Sequence, residues 1–68
     1  MVILKWTNVF SKETGFVKSI SNTERHFVNT YEAKEAKKYS KRTIKNVLAK
    51  LESFGETENN VFEVVSVD

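Results

Sequence analysis

No cysteine and no proline occur among the 68 residues, glycine appears twice, and histidine and tryptophan appear once each. The missing thiols exclude disulfides, cysteine nucleophiles and thiolate zinc sites. Gly15 and Gly55 lie in different halves of the chain, so no glycine-rich loop can cradle a phosphate. His26 stands alone in a strand-like stretch beside Arg25 and Phe27, and it reads as a plain surface or edge residue. No apolar run approaches the roughly 20 residues of a membrane span, and the first residues lack the charged-then-apolar order of a signal peptide. The expectation is a cytoplasmic protein with no membrane contact.

What is present suits an ordinary folded domain. With 40% hydrophobic and 29% charged residues, the chain has the composition of a globular protein and not of a disordered tail. A chain of this size buries only roughly 60% of the surface its unfolded form exposes, which makes a homodimer one of the expected partners. No repeat or low-complexity linker divides the sequence, so a single compact domain over residues 1–68 is expected. Net charge is +2, unevenly spread: residues 34–50 carry seven basic groups and one acidic, while residues 51–68 carry five acidic groups and none basic. The chain is polarised more than it is basic.

The stretch from Ser40 to Gly55 organises the rest. Ile44, Val47, Leu48, Leu51 and Phe54 fall on one stripe of an α-helix, with Ser40 placed to cap its start and Gly55 to end it. Burying that stripe would supply most of the core. Around it the alternation of Val2, Leu4 and Trp6 predicts a first strand over 2–10, followed by a loop over residues 11–15 with Gly15 at positive φ. A second strand over 16–21 is expected to turn Phe16, Lys18 and Ile20 to one face and Val17 to the other. A third strand over 26–30 follows, with Phe27 and Val28 on opposite faces. Residues 32–37 suggest a short helical turn before a kink near Tyr39. The last strand, 61–67, is apolar on both faces, as a central or well-covered strand would be. The predicted fold class is α+β: a small, mainly antiparallel sheet in the order β-β-β-α-β, its first strand central, with one long helix packed on one face.

This order of signals resembles small uncharacterised phage and prophage proteins of Gram-positive bacteria. The likeness rests on Lys12 to Gly15, Ala36, Tyr39, Ser40 and the tail Phe62 to Val67. It implies a compact α+β domain that acts by binding, in the cytoplasm of the host cell, and it carries over no catalytic residue. Lys37 to Lys41 also resembles the lysine-rich start of the second helix in double-stranded-RNA-binding domains. This chain departs from that family in having no helix before its first strand and in adding a closing strand.

Catalytic constellations are sparse. Glu56 and Glu58 lie together in a polar loop and read as solvating charge, so neither an enzyme nor a metal site, cofactor or small-molecule substrate is expected. The candidate site is basic: Lys37, Lys38, Lys41, Arg42 and Lys45 cluster where a helix begins, a place whose free N–H groups favour anions. One helix covers one face of a sheet, and apolar residues on the other face would call for a partner. The reading favoured by the sequence is a non-enzymatic accessory protein that binds a host protein, as an inhibitor of a defence or replication system. Nucleic-acid binding through the five basic residues is the alternative, and a structural homodimer is the third.

Overall fold

The computed structural model describes residues 1–67. Alternating apolar residues build β1 (Val2–Asn8), β2 (Thr14–Ser21), β3 (His26–Thr30) and β4 (Asn60–Ser66), and α1 spans Ile44–Ser53. Two short 3₁₀ turns, Ala33–Glu35 and Glu56–Glu58, flank the helix in sequence. The sheet is antiparallel in the order β3-β2-β1-β4. The fold is therefore α+β, and β1 is interior as its apolar character predicts.

Register explains which residues form the core. Trp6 pairs with Gly15 and with Phe62, and Leu4 pairs with Val64, so Val2, Leu4, Trp6, Val17 and Phe62 share one face. The helix lays Ile44, Val47 and Leu51 on that face, and Tyr39 joins the same cluster. Burying such side chains stabilises by about 1.5 to 3 kcal/mol each. Leu48 and Phe54 complete the expected stripe but stay partly exposed. Phe54 packs instead under the Arg25 guanidinium, whose Nη2 donates to the Ser53 carbonyl at 3.1 Å. That bond satisfies a last-turn acceptor that the helix itself leaves free.

The helix begins with its stripe at Ile44, later than a cap at Ser40 predicts. Its N-cap is Thr43, which makes no side-chain cap bond, and Ser40 closes the turn before it: the Ser40 Oγ accepts the Thr43 N–H at 3.0 Å and its carbonyl accepts the Ile44 N–H at 3.1 Å. Residues 41–43 form a turn leading into the regular helix. Gly55 ends it at φ 82°, the left-handed conformation predicted for it.

Three local expectations are corrected. The first loop gives its positive φ to Lys12 (66°) and not to Gly15, because Asn8 Oδ1 accepts the Phe10 and Ser11 N–H groups and closes the turn early. Gly15 lies inside β2, where the Trp6 ring covers it: a Cβ there would stand 2.7 Å from Trp6 Cζ2. In β2 the alternation breaks at a bulge between Val17 and Ser19, which brings Ile20 back to the face of Val17 while Phe16 faces away. Finally, β4 is an edge strand, with Val61 60% and Val64 43% exposed. Apolar character on both faces here marks exposure and not a central position.

The face opposite the helix is also covered in part. Ile3, Lys5, Phe16 and Thr30 share it by register, and the Thr30 hydroxyl donates to Glu35 Oε2 at 3.3 Å. The 3₁₀ turn at Ala33–Glu35 therefore lies on that side, where Ile3 is only 2% exposed. Lys5, Thr7 and Glu63 lie on the rest of that face beside Val61 and Val65, so the apolar face expected from one-sided helix cover is narrowed and interrupted by polar residues.

Leu51→Ala is expected to lower unfolding free energy by about 2 to 5 kcal/mol, and Leu48→Ala by about half as much, since only Leu51 is fully enclosed. Gly15→Ala should cost about 1 to 3 kcal/mol through displacement of Trp6, visible in tryptophan fluorescence. Chemical denaturation of the three variants checks the ranking, and an unperturbed Gly15→Ala protein would refute the placement of the indole.

Candidate functional site

Two features of the surface could carry chemistry, and both arise from residues 34–50. The sequence places seven cations there, and each of them is exposed in the structure. Among the described residues the one contact of this kind is His26 Nε2 to Glu24 Oε1 at 3.7 Å, so none of the seven pairs with a carboxylate there. The helix start contributes less than its position suggests, because Ser40 already occupies the N–H groups of Thr43 and Ile44. Attraction at this pole comes from side-chain charge.

The second feature is a cleft of about 290 Å³ between α1 and the bulged end of β2. Its origin is a split in the sheet. β1 and β2 pair from Lys5–Phe16 to Thr7–Thr14 and then separate. The segment Lys37 to Tyr39 enters the gap: Val2 and Tyr39 exchange both main-chain bonds at 2.8 Å, and the Lys37 N–H donates to the Val17 carbonyl at 3.1 Å. Tyr39 thereby becomes a wall of the cleft, with Lys37 and Lys50 as its charged residues and Asn22, Thr43 and Asn46 among its polar ones. Lys37 Nζ stands 5.6 Å from the centre of the Tyr39 ring, within cation–π range.

Tyr39 is itself 7% exposed, and its hydroxyl is buried without a hydrogen-bond partner. An unpartnered buried hydroxyl costs about 1 to 3 kcal/mol, and native structures contain few. Burial also pushes the Tyr39 phenol above its ordinary pKa. The Tyr31 phenol is raised too, chiefly because its hydroxyl donates to Glu13 Oε2 at 3.1 Å and also because that carboxylate is charged.

Of the five residues proposed from sequence, only Lys37 lines the cleft; Lys38, Lys41, Arg42 and Lys45 stand outside it, as exposed members of the basic pole. Lys50 was missed. A signal for it exists, since Thr43, Asn46, Val47 and Lys50 recur at i, i+3, i+4 and i+7 and so share a helix flank beside the buried stripe. His26 heads the edge strand β3, and Glu56 and Glu58 sit in the second 3₁₀ turn. Among the described residues, no three His, Asp or Glu side chains gather to hold a metal ion. No helix of the described residues is long and apolar enough to cross a membrane. The chain matches no protein-family model, no curated protein and no solved structure.

The Tyr39 shift gives a pH prediction. A phenol whose folded pKa is raised contributes stability that is complete below the unfolded value of about 10 and is lost as pH rises through the folded value. Tyr39→Phe is expected to match or exceed wild-type stability at neutral pH and to hold its advantage more strongly above pH 10. Thermal melts across an alkaline series compare the two, and a Tyr39→Phe protein markedly weaker at neutral pH would show that the hydroxyl has a partner.

Proposed function

We propose that this chain acts by binding, and that its basic pole engages the phosphodiester backbone of a nucleic acid. The observation that carries this reading is the exposed, unpaired state of the cations over residues 34–50. Acidic residues three or four positions away on a helix would offset the charge of its lysines. Lys41, Arg42, Lys45 and Lys50 have none at those distances. Lys37 and Lys38 extend the same positive surface before the helix. Glu52 lies in the last turn of α1, Glu56 and Glu58 follow the helix and Glu63 lies on β4, so the acidic groups sit at the opposite end from Lys37 to Lys45 in sequence.

A protein partner is the second reading, and one observation favours it. Its earlier support, a broad apolar sheet face, is replaced by the free edge of β4, where Val61 and Val64 are exposed beside Glu63. An edge strand of this kind can accept a strand from a host protein or from a second copy.

The test is binding to labelled single strands and duplexes across a salt series. Five phosphate contacts on a single strand predict a slope of about −3 to −4 in log affinity against log salt. The double reversal Lys38→Glu with Arg42→Glu should abolish the interaction while leaving thermal stability close to wild type, because both side chains are exposed. Absence of binding at low salt would overturn the nucleic-acid reading. Light scattering on the same samples separates a monomer from a pair joined through β4.

A further inference from the structure

The cleft beside Tyr39 has a different composition from the basic pole. Its charged lining residues are Lys37, which comes from the segment inserted between β1 and β2, and Lys50, which comes from the last turns of α1. Among the described residues no carboxylate lines it. Asn46 and Thr43 come from the helix side, and the Thr43 Oγ1 already accepts the Ser40 hydroxyl at 2.8 Å, which leaves its own proton free to donate. Apolar walls are supplied by Ile20, Val47 and the Tyr39 ring.

These features define a ligand class. Two cations and no acid select an anion. The cations are lysines without a guanidinium fork, which suits phosphate held by point charges better than a carboxylate gripped by two parallel bonds. The apolar walls accept a ring, and the asparagine amides can donate to and accept from its edge or from sugar hydroxyls. A volume of about 290 Å³ falls at the lower end of ligand pockets and so limits the occupant to a small molecule. The Tyr39 hydroxyl adds an independent sign. It is buried and unpartnered within a side chain that lines the cleft, and Lys37 Nζ stands 5.6 Å from the centre of that ring, so an aromatic wall and a cation meet at one side of the cleft.

We propose that the cleft between α1 and the bulged end of β2 is a binding site for a small phosphate ester carrying a ring, the chemistry of a nucleoside monophosphate. Lys37 and Lys50 hold the phosphate, Thr43 and Asn46 donate to it or to the sugar, and the ring lies against Ile20, Val47 and Tyr39. The site stands on the cleft alone and does not require the basic pole to bind a strand.

An NMR titration of the full chain tests it, with adenosine monophosphate, adenosine and inorganic phosphate as separate probes. The expected result is saturable movement of the Ser19, Asn22, Asn46 and Val47 amides with the monophosphate, and much weaker binding of either half alone. Lys50→Gln should weaken the monophosphate by about tenfold, the effect of one charge-assisted bond. The proposal is overturned if those amides do not saturate at millimolar ligand, if only Lys38 to Lys45 respond, or if Lys50→Gln binds as wild type. Monophosphate binding without strand binding, or the reverse, separates this site from the basic pole.

Discussion

The reciprocal main-chain pair between Val2 and Tyr39 is the constraint around which the structure is arranged. β1 supplies four core residues and must keep both of its edges bonded, because an interior strand cannot leave buried N–H and C=O groups unpaired. β4 satisfies one edge along its whole length, from Val2–Ser66 to Asn8–Asn60. β2 satisfies the other only as far as Lys5. Beyond that point Tyr39 takes over, and the chain that carries it passes between the strands from the Ile3 face to the helix face. One insertion thus completes the sheet, covers Ile3 and delivers α1 to the side where Val2, Leu4 and Trp6 wait.

The same insertion explains why some of this fold could be read in the sequence and some could not. Period-2 alternation in β1 and period-3.6 spacing in α1 are local signals, and both elements appear with trimmed ends, β1 stopping at Asn8 and α1 starting at Ile44. The meander of the first three strands is equally local. The split between β1 and β2 depends on hydrogen bonds between residues far apart in the chain, and no short window reports it. Gly15 shows the limit well: glycine after a polar loop suggests a positive φ, yet the residue is needed because an indole lies on it. The Val17–Ser19 bulge similarly reverses the facing of Ile20, and alternation cannot announce its own interruption. In β4 the apolar residues were legible but their exposure was not, since strand order decides which strand is left at the edge.

The basic cluster was legible as composition, while its division was not. Lys37 belongs to the inserted segment and Lys50 to the far turns of the helix, and only tertiary structure brings them to one cleft. Lys38, Lys41, Arg42 and Lys45 remain an open, unpaired surface. The two proposed sites differ in the kind of anion contact they offer. An exposed pole acts through long-range attraction that salt screens over about 10 Å. A walled cleft acts through short, directed bonds in a less polar setting, where each bond is worth more and shape discriminates.

Tyr39 joins the two halves of the argument. Its backbone completes the sheet, and its ring belongs to the core, so the residue cannot be exchanged for a small one without loosening both. Its hydroxyl contributes to neither task. A phenylalanine would pack the same ring without burying a polar atom, and by stability alone it would be the better residue. The unpartnered hydroxyl is therefore a cost that packing does not explain, and it lies in the same side chain that walls the cleft between Lys37 and Lys50.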